Sequence, residues 1–308
     1  MNKKILVAVD GSVYSSNSLD YLIRLFRQER NFNIDLIGAV SIGSGEQGWM
    51  MEIDPPHADI SAVQRRKKRT ESYLKDARAR LVRNGFPEEH VNFFVQAKGA
   101  AVTNSIYSFA EKGVYDGLLV GRRGVGKVGE IFMGSVSADL VRKCHEVPVW
   151  IIDGNVTSTR FLLAAHSSPC SLMAADHLAY ILTDNPKTEI CIYHSSSVFG
   201  STPPAEAEEF HSQWGEAWCE KYLDLDSCLY EAHTRVLLEN GISEQQIVHI
   251  SPHRDLDASH DLLRQAKKHN CGTIVIGRRG RKAEKGILGG VSDRTTQHAQ
   301  NMAVWLVG

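Results

Sequence analysis

Residues Val120 to Ser137 read V-G-R-R-G-V-G-K-V-G-E-I-F-M-G-S-V-S. Five glycines stand between an apolar run and a helical pattern, an arrangement in which backbone and a helix N-terminus can close on a phosphate. The stretch returns as Gly277-Arg278-Arg279-Gly280 through Gly290-Val291-Ser292. Gly277, Gly280 and Gly290 lie 156 positions after Gly121, Gly124 and Gly134. Arg160 to Ser168 (R-F-L-L-A-A-H-S-S) lies 156 after Lys4 to Ser12 (K-I-L-V-A-V-D-G-S). One offset joining both ends of so long a unit marks a tandem repeat.

In the first copy, the apolar run Lys4 to Val9 closes at Asp10-Gly11-Ser12 and predicts a strand buried on both faces. Helix is expected from about Ser15, with Leu19, Leu22, Ile23 and Phe26 at helical spacing, then a strand over Ile34 to Ser41. The span Ile42 to Pro56 predicts a loop long enough to carry function. A helix from about Ala58 to Arg83 stops at Asn84-Gly85. Strands follow at Val91 to Val95, Gly117 to Gly121 and Val147 to Ile152, with helices at Ala101 to Lys112 and Ser135 to Lys143. Such alternation gives an α/β fold: two tandem doubly wound domains, each a five-stranded, mainly parallel sheet with helices on both faces. The domains are expected at 1–153 and 160–308, with 154–159 a polar linker. The second closes with Met302 to Val307, matching Val147 to Ile152 after a one-residue deletion.

A chain of 308 residues is long for one domain and comfortable for two. Hydrophobic content of 43%, charged content of 23% and a net charge of −1 fit a soluble protein and argue against a nucleic-acid binder, which carries a basic excess. The run Arg65 to Arg69 falls in an amphipathic helical pattern and reads as a solvated face. Six cysteines show no C-x-x-C spacing, and five fall in the second half. The first apolar run is too short for a secretory leader, and none approaches the ~20 residues of a membrane helix. Reduced thiols, a cytoplasmic location and no membrane partner are therefore expected.

The glycine stretch meets three spacings. As a Walker loop, Gly121-x4-Gly126-Lys127 lacks the Ser or Thr that holds Mg²⁺, because Val128 stands there. As a dinucleotide fingerprint, Gly124-x-Gly126-x-x-Gly129 follows the fourth strand of its unit instead of the first. The third spacing, Gly-x2-Gly-x9-Gly-Ser, is met by Gly121, Gly124, Gly134 and Ser135. Only its glycines survive in the second copy, where Lys282, Ala283 and Lys285 replace Gly126, Lys127 and Gly129. The plainer alternative is a set of turn glycines.

With the opening K-I-L-V-A-V-D-G-S, this third spacing and the ending H-E-V-P-V-W-I-I, the chain resembles a tandem universal stress protein over nearly its whole length. The resemblance implies ATP, with Mg²⁺ as a candidate companion, bound at the carboxyl ends of the parallel strands. Carried over by position, Ala8, Val9 and Asp10 would border adenine and ribose, and Val40 would pack near the base. Val120 and Gly121 would approach the sugar and α-phosphate, while Gly124, Gly134, Ser135 and Val136 would hold phosphates. Arg122, Arg123 and Lys127 are near enough in sequence to add positive charge, at least one of them being expected in solvent. The family also implies fifth strands paired antiparallel, here Val147 to Ile152 with Met302 to Val307 as an intramolecular pseudo-dimer. A homodimer and an unidentified protein partner are further candidates.

The second copy departs at two points. His166 stands where Asp10 stands, and Val291 where Ser135 stands. A lost hydrogen bond to a charged group costs about 1.5–3 kcal/mol, more than tenfold in binding. One competent nucleotide site is expected, in the first domain. The degenerate one comprises His166, His194, Gly277, Gly280, Gly290 and Val291. Three histidines fall in residues 1–153 and ten afterwards. His166 and His194, the latter matched to Val40, are expected to converge on the degenerate crevice. No metal-ligand spacing accompanies them, so surface or core histidines are favoured over a metal or anion site. No nucleophile–base pair or carboxylate dyad can be assigned. The expectation is a regulatory, stress-resistance module with slow hydrolysis at most. An adenylating or hydrolysing enzyme and a ligand-free scaffold are the alternatives.

Overall fold

The computed structural model describes residues 3–27, 30, 32–41, 60–98, 102–123, 133–199, 205–227, 229–278 and 290–308. The expected functional loop at Ile42 to Pro56, Gly124, Gly126, Lys127, Gly129 and Gly280 lie outside them. The chain divides into two compact units, Met1–Asn155 and Val156–Gly308.

The first unit comprises β1 (Lys4–Ala8), α1 (Val13–Leu25), β2 (Asn33–Ser41), α2 (Ile60–Arg83), β3 (Val91–Lys98), α3 (Val102–Gly113), β4 (Gly117–Gly121), α4 (Ser135–Lys143) and β5 (Val149–Ile152). Its strands are all parallel, in the order β3-β2-β1-β4-β5. Leu6, Val7, Leu36, Leu118, Leu119 and Trp150 are wholly buried. Helices cover both faces of such a sheet, so its central strands are continuous apolar runs. α1 starts before the apolar spacing does, because the Ser12 side chain caps it by accepting from the N–H of Ser15 at 3.2 Å. β5 starts later than expected, at Val149. Pro148 has no N–H for the ladder, although its carbonyl accepts from Leu118 at 2.8 Å. One polar cluster sits within this core: Asp35 accepts from the Tyr115 hydroxyl at 2.7 Å and the Asn92 amide at 3.1 Å, with Lys4 Nζ at 3.5 Å.

The second unit begins with β6 (Arg160–Ala164), α5 (Pro169–Leu182), β7 (Glu189–Tyr193), β8 (Ser195–Phe199), α6 (Glu208–Trp214), α7 (Glu216–Tyr222) and α8 (Tyr230–Glu239). It continues through β9 (Ile247–His249), β10 (His253–Asp257), α9 (Ala258–Lys268), β11 (Thr273–Gly277), α10 (Val291–His298) and β12 (Ala303–Val307). The parallel order β12-β11-β6-β7-β9 repeats that of the first unit. The offset repeats bond by bond. Val9 N–H donates to Ile37 O and Ala165 N–H to Tyr193 O, both at 2.9 Å. Asp116 N–H donates to Lys4 O and Gly272 N–H to Arg160 O, again at 2.9 Å.

This register corrects the match of His194 to Val40. Ala8 pairs with Ile37 and Ala164 with Tyr193, so His194 stands in the place of Gly38. No residue is gained or lost up to that point, and the counterpart of Val40 is Ser196. Two features of the second unit were not foreseen. β8 and β10 extend β7 and β9 as a separate two-stranded parallel ladder, and α8 packs on α5. Among the described residues no helix is long and apolar enough to cross a membrane.

Candidate functional site

The strand order of the first unit reverses between β1 and β4, and ligands of open α/β sheets bind at the carboxyl ends beside such a reversal. β1 delivers Asp10 there, exposed, with its carboxylate accepting from Ser12 N–H at 2.9 Å. β4 delivers Gly121, Arg122 and Arg123. The Gly134 N–H donates to the Arg122 carbonyl at 2.8 Å, which folds the start of α4 back onto the end of β4. Intrahelical bonding begins with Ala138 N–H on Gly134 O, so helix geometry gives the N–H groups of Ser135, Val136 and Ser137 no partner within α4. Ser135 is exposed at this N-terminus, while the Ser137 hydroxyl is bound to Gly121 O at 2.7 Å.

The other predicted residues divide by burial. Val9, Val40 and Val120 are core residues, 6%, 7% and 2% exposed. Ala8, Gly121, Arg123, Gly134 and Val136 are half-buried. Arg122 does not serve the crevice with its side chain. It is buried, with Nη1 3.6 Å from Asp153 Oδ1, and burial pulls its guanidinium below the ordinary arginine value against the opposing pull of Asp153. Arg123 lies over the Tyr14 ring at 5.7 Å, along the first turn of α1.

The missing Cβ of Gly121 makes room for protein. A Cβ there would meet the Tyr14 carbonyl carbon and Cβ at 3.0 Å. At Gly277 it would collide with the backbone of Cys170 and Ser171. Both glycines therefore let the first helix of their unit close on the fourth strand of its sheet.

In the second unit the rings of His166 and His194 stand 6.4 Å apart. His194 Nδ1 is 3.0 Å from Ala165 O, and its backbone N–H donates to the Tyr230 hydroxyl at 2.8 Å. Tyr230 in turn donates to Ile250 O at 3.0 Å. His166 N–H donates to Ser171 Oγ at 2.9 Å. Gly290 caps α10 with no side-chain hydrogen bond, and Val291 opens that helix without a hydroxyl.

Sequence reasoning assigned no nucleophile–base pair, yet Ser171 Oγ lies 2.8 Å from His233 Nε2. His233 Nδ1 lies 2.5 Å from Leu229 O. A carbonyl only accepts, so Nδ1 carries the proton and Ser171 donates to Nε2. Burial drives His233 down to about 4, with the Leu229 carbonyl opposing. Ser171 and His233 are 2% and 0% exposed, and they tie α5 to α8 where no substrate can reach. Their separation of 62 residues left no local signal.

His253, Asp255 and Asp261 bring ligand atoms within 4.8 Å of one another. Arg264 Nη2 already fills that space, 3.0 Å from His253 Nδ1, 3.0 Å from Asp255 and 2.8 Å from Asp261. Asp261 also accepts from Tyr193 at 2.6 Å and Ser195 at 2.5 Å. A cation would have to displace a charge-matched guanidinium.

Residues 1–153 match the family model described as the universal stress protein family. No curated protein matches the chain. A universal stress protein from Archaeoglobus fulgidus DSM 4304 superposes with a TM-score of 0.69 at 18% identity, covering 99% of this chain and 97% of that one. A functionally unknown protein from Pseudomonas aeruginosa PAO1 superposes with a TM-score of 0.57 at 13% identity, covering 99% and 92%. At these identities the two structures speak to the fold.

Proposed function

From the premise that this chain belongs to the universal stress protein family, by its residues 1–153, we propose that its first unit binds an adenine nucleotide, ATP, at the carboxyl ends of β1 and β4. The observation carrying this reading is the Gly134–Arg122 hydrogen bond, which sets exposed Ser135 and the α4 N-terminus on the end of β4. Helix N–H groups and a hydroxyl suit phosphate oxygens. Asp10 suits a ribose hydroxyl, although part of its carboxylate is already engaged by Ser12. Mg²⁺ would accompany the triphosphate as counter-ion; none of the described residues is assigned to it.

The second unit has lost the carboxylate and the hydroxyl, with His166 and Val291 in their places. Bound nucleotide would act by biasing surface loops and the contacts they make, without efficient turnover, in a regulatory role in stress resistance. The experiment is to release and count nucleotide from purified protein, then titrate ATP calorimetrically. One equivalent of adenine nucleotide per chain is expected. Two equivalents, no binding, or steady ATP turnover that depends on Ser135 would overturn the reading.

A further inference from the structure

Tyr73 stands on α2, and its ring lies on the backbone of Gly11, in the turn that follows β1. A Cβ on Gly11 would collide with Cδ2, Cε2 and Cζ of that ring. Gly11 also has a φ of 76°, which glycine adopts without strain. The ring is held at its far end, where Arg69 Nε donates to the Tyr73 hydroxyl. The Arg69 guanidinium carbon lies 5.5 Å from the ring centroid. Arg69 and Tyr73 are about one helical turn apart, so they share a face of α2.

These contacts fall at the end of the sheet where the crevice opens. Thr70 Cγ2 packs on Gly38, towards the carboxyl end of β2. Arg78 Nε donates at 2.8 Å to Val91 O, at the amino end of β3. The helix α2 therefore runs against the strands, with Arg69, Thr70 and Tyr73 at the end where Asp10 emerges. Asp10 and Gly11 are exposed, Tyr73 is half-buried and Arg69 is exposed. The ring thus covers the turn that carries Asp10 while standing outside the core. The second unit holds its turn by other means. Ser167 lies 156 residues after Gly11, its carbonyl accepts from Ala205 N–H at 2.9 Å, and its hydroxyl donates to Leu225 O at 3.3 Å. Hydrogen bonds do there what an aromatic ring does in the unit that keeps the aspartate.

Resting on the reading that the first unit binds ATP, we propose that Tyr73 is a positioning residue for the nucleoside half of the ligand. By lying on Gly11 it fixes the Asp10-Gly11-Ser12 turn, and so the direction in which the Asp10 carboxylate meets the ribose, with Arg69 clamping the ring. A turn held in its bound form costs less to order when the ligand arrives. Without the ring, Gly11 regains the conformational range of an unpinned glycine. Asp10 is then correctly placed in only a fraction of molecules, and the affinity falls by that fraction. The effect passes through Asp10 and leaves the phosphate end at Ser135 untouched.

The test is a calorimetric ATP titration of the full chain, with Tyr73→Ala combined first with Asp10→Ala and then with Ser135→Ala. Tyr73→Ala should weaken ATP about tenfold, and Tyr73→Phe, which keeps the ring, by no more than about twofold. Asp10→Ala should weaken ATP in the wild type but add less than about twofold to Tyr73→Ala, whereas Ser135→Ala should cost the same factor in both backgrounds. Arg69→Ala, at an exposed position, unclamps the ring and should show the same dependence on Asp10 at smaller size, which decides the matter if Tyr73→Ala folds poorly. A wild type that binds no ATP would overturn this proposal together with the reading beneath it. Where the wild type binds ATP, unchanged affinity in Tyr73→Ala, a loss in Tyr73→Phe as large as in Tyr73→Ala, or Tyr73 and Asp10 effects that simply multiply would overturn this proposal alone.

Discussion

The carbonyl carbon of Tyr14 lies 3.0 Å from the point a Cβ on Gly121 would occupy. The first glycine of the repeated motif is thus fixed by a helix closing on a strand. At its counterpart Gly277 the closure is tighter, with the Cys170 carbonyl inside contact distance of the added atom. Gly277→Ala should therefore cost about 2–3 kcal/mol and Gly121→Ala about 1 kcal/mol, as overpacking against backbone exceeds overpacking that a small shift relieves. Urea unfolding of the two variants gives the comparison, and equal losses would contradict it.

Ser135 and Val291 open equivalent helices, and only the first presents a hydroxyl. Ser135→Ala should weaken ATP binding about tenfold, the worth of one hydrogen bond to a charged phosphate. Val291→Ser alone should not create a second site, because His166 still replaces Asp10. Calorimetric titration reads both affinity and stoichiometry.

His233 is neutral in the folded protein down to about pH 4, against an ordinary value of 6.5, because burial disfavours its charge. Below about pH 6.5 the unfolded chain gains a proton that the folded chain does not. The stability that depends on this histidine is complete above that pH and falls by about 3 kcal/mol on acidification towards pH 4. Unfolding measured between pH 7.5 and 4.5 should show a shallower acid loss in His233→Gln than in wild type. Parallel profiles would refute the assignment.

Asp261 behaves in the opposite sense. Burial alone would raise it, but hydrogen bonds from Ser195, Tyr193, Arg264 and Gln265 outweigh burial and hold it below the ordinary aspartate value. Its contribution is present above the unfolded carboxylate value and disappears as pH falls through the depressed folded one. Asp261→Asn should destabilise the second unit by about 2–4 kcal/mol at neutral pH, since it removes the charge facing Arg264 and leaves donors unmatched. The loss should shrink as the wild-type carboxylate is protonated, which denaturation at acidic pH would reveal.

The sequence by itself determined the two-unit α/β architecture, because strand and helix periods are local records of burial and one offset of 156 joins both ends of the repeat. It also singled out Ser135 and Val291 as a difference between the units. Tertiary structure decided what no local pattern encodes. It gave Gly121 a packing reason and turned Arg122 inward to Asp153. It also joined Ser171 to His233 and filled the His253–Asp255–Asp261 cluster with Arg264. Most of these contacts join residues far apart in the chain. They depend on strand register and on which helix closes over which strand, and those are settled only when the units pack.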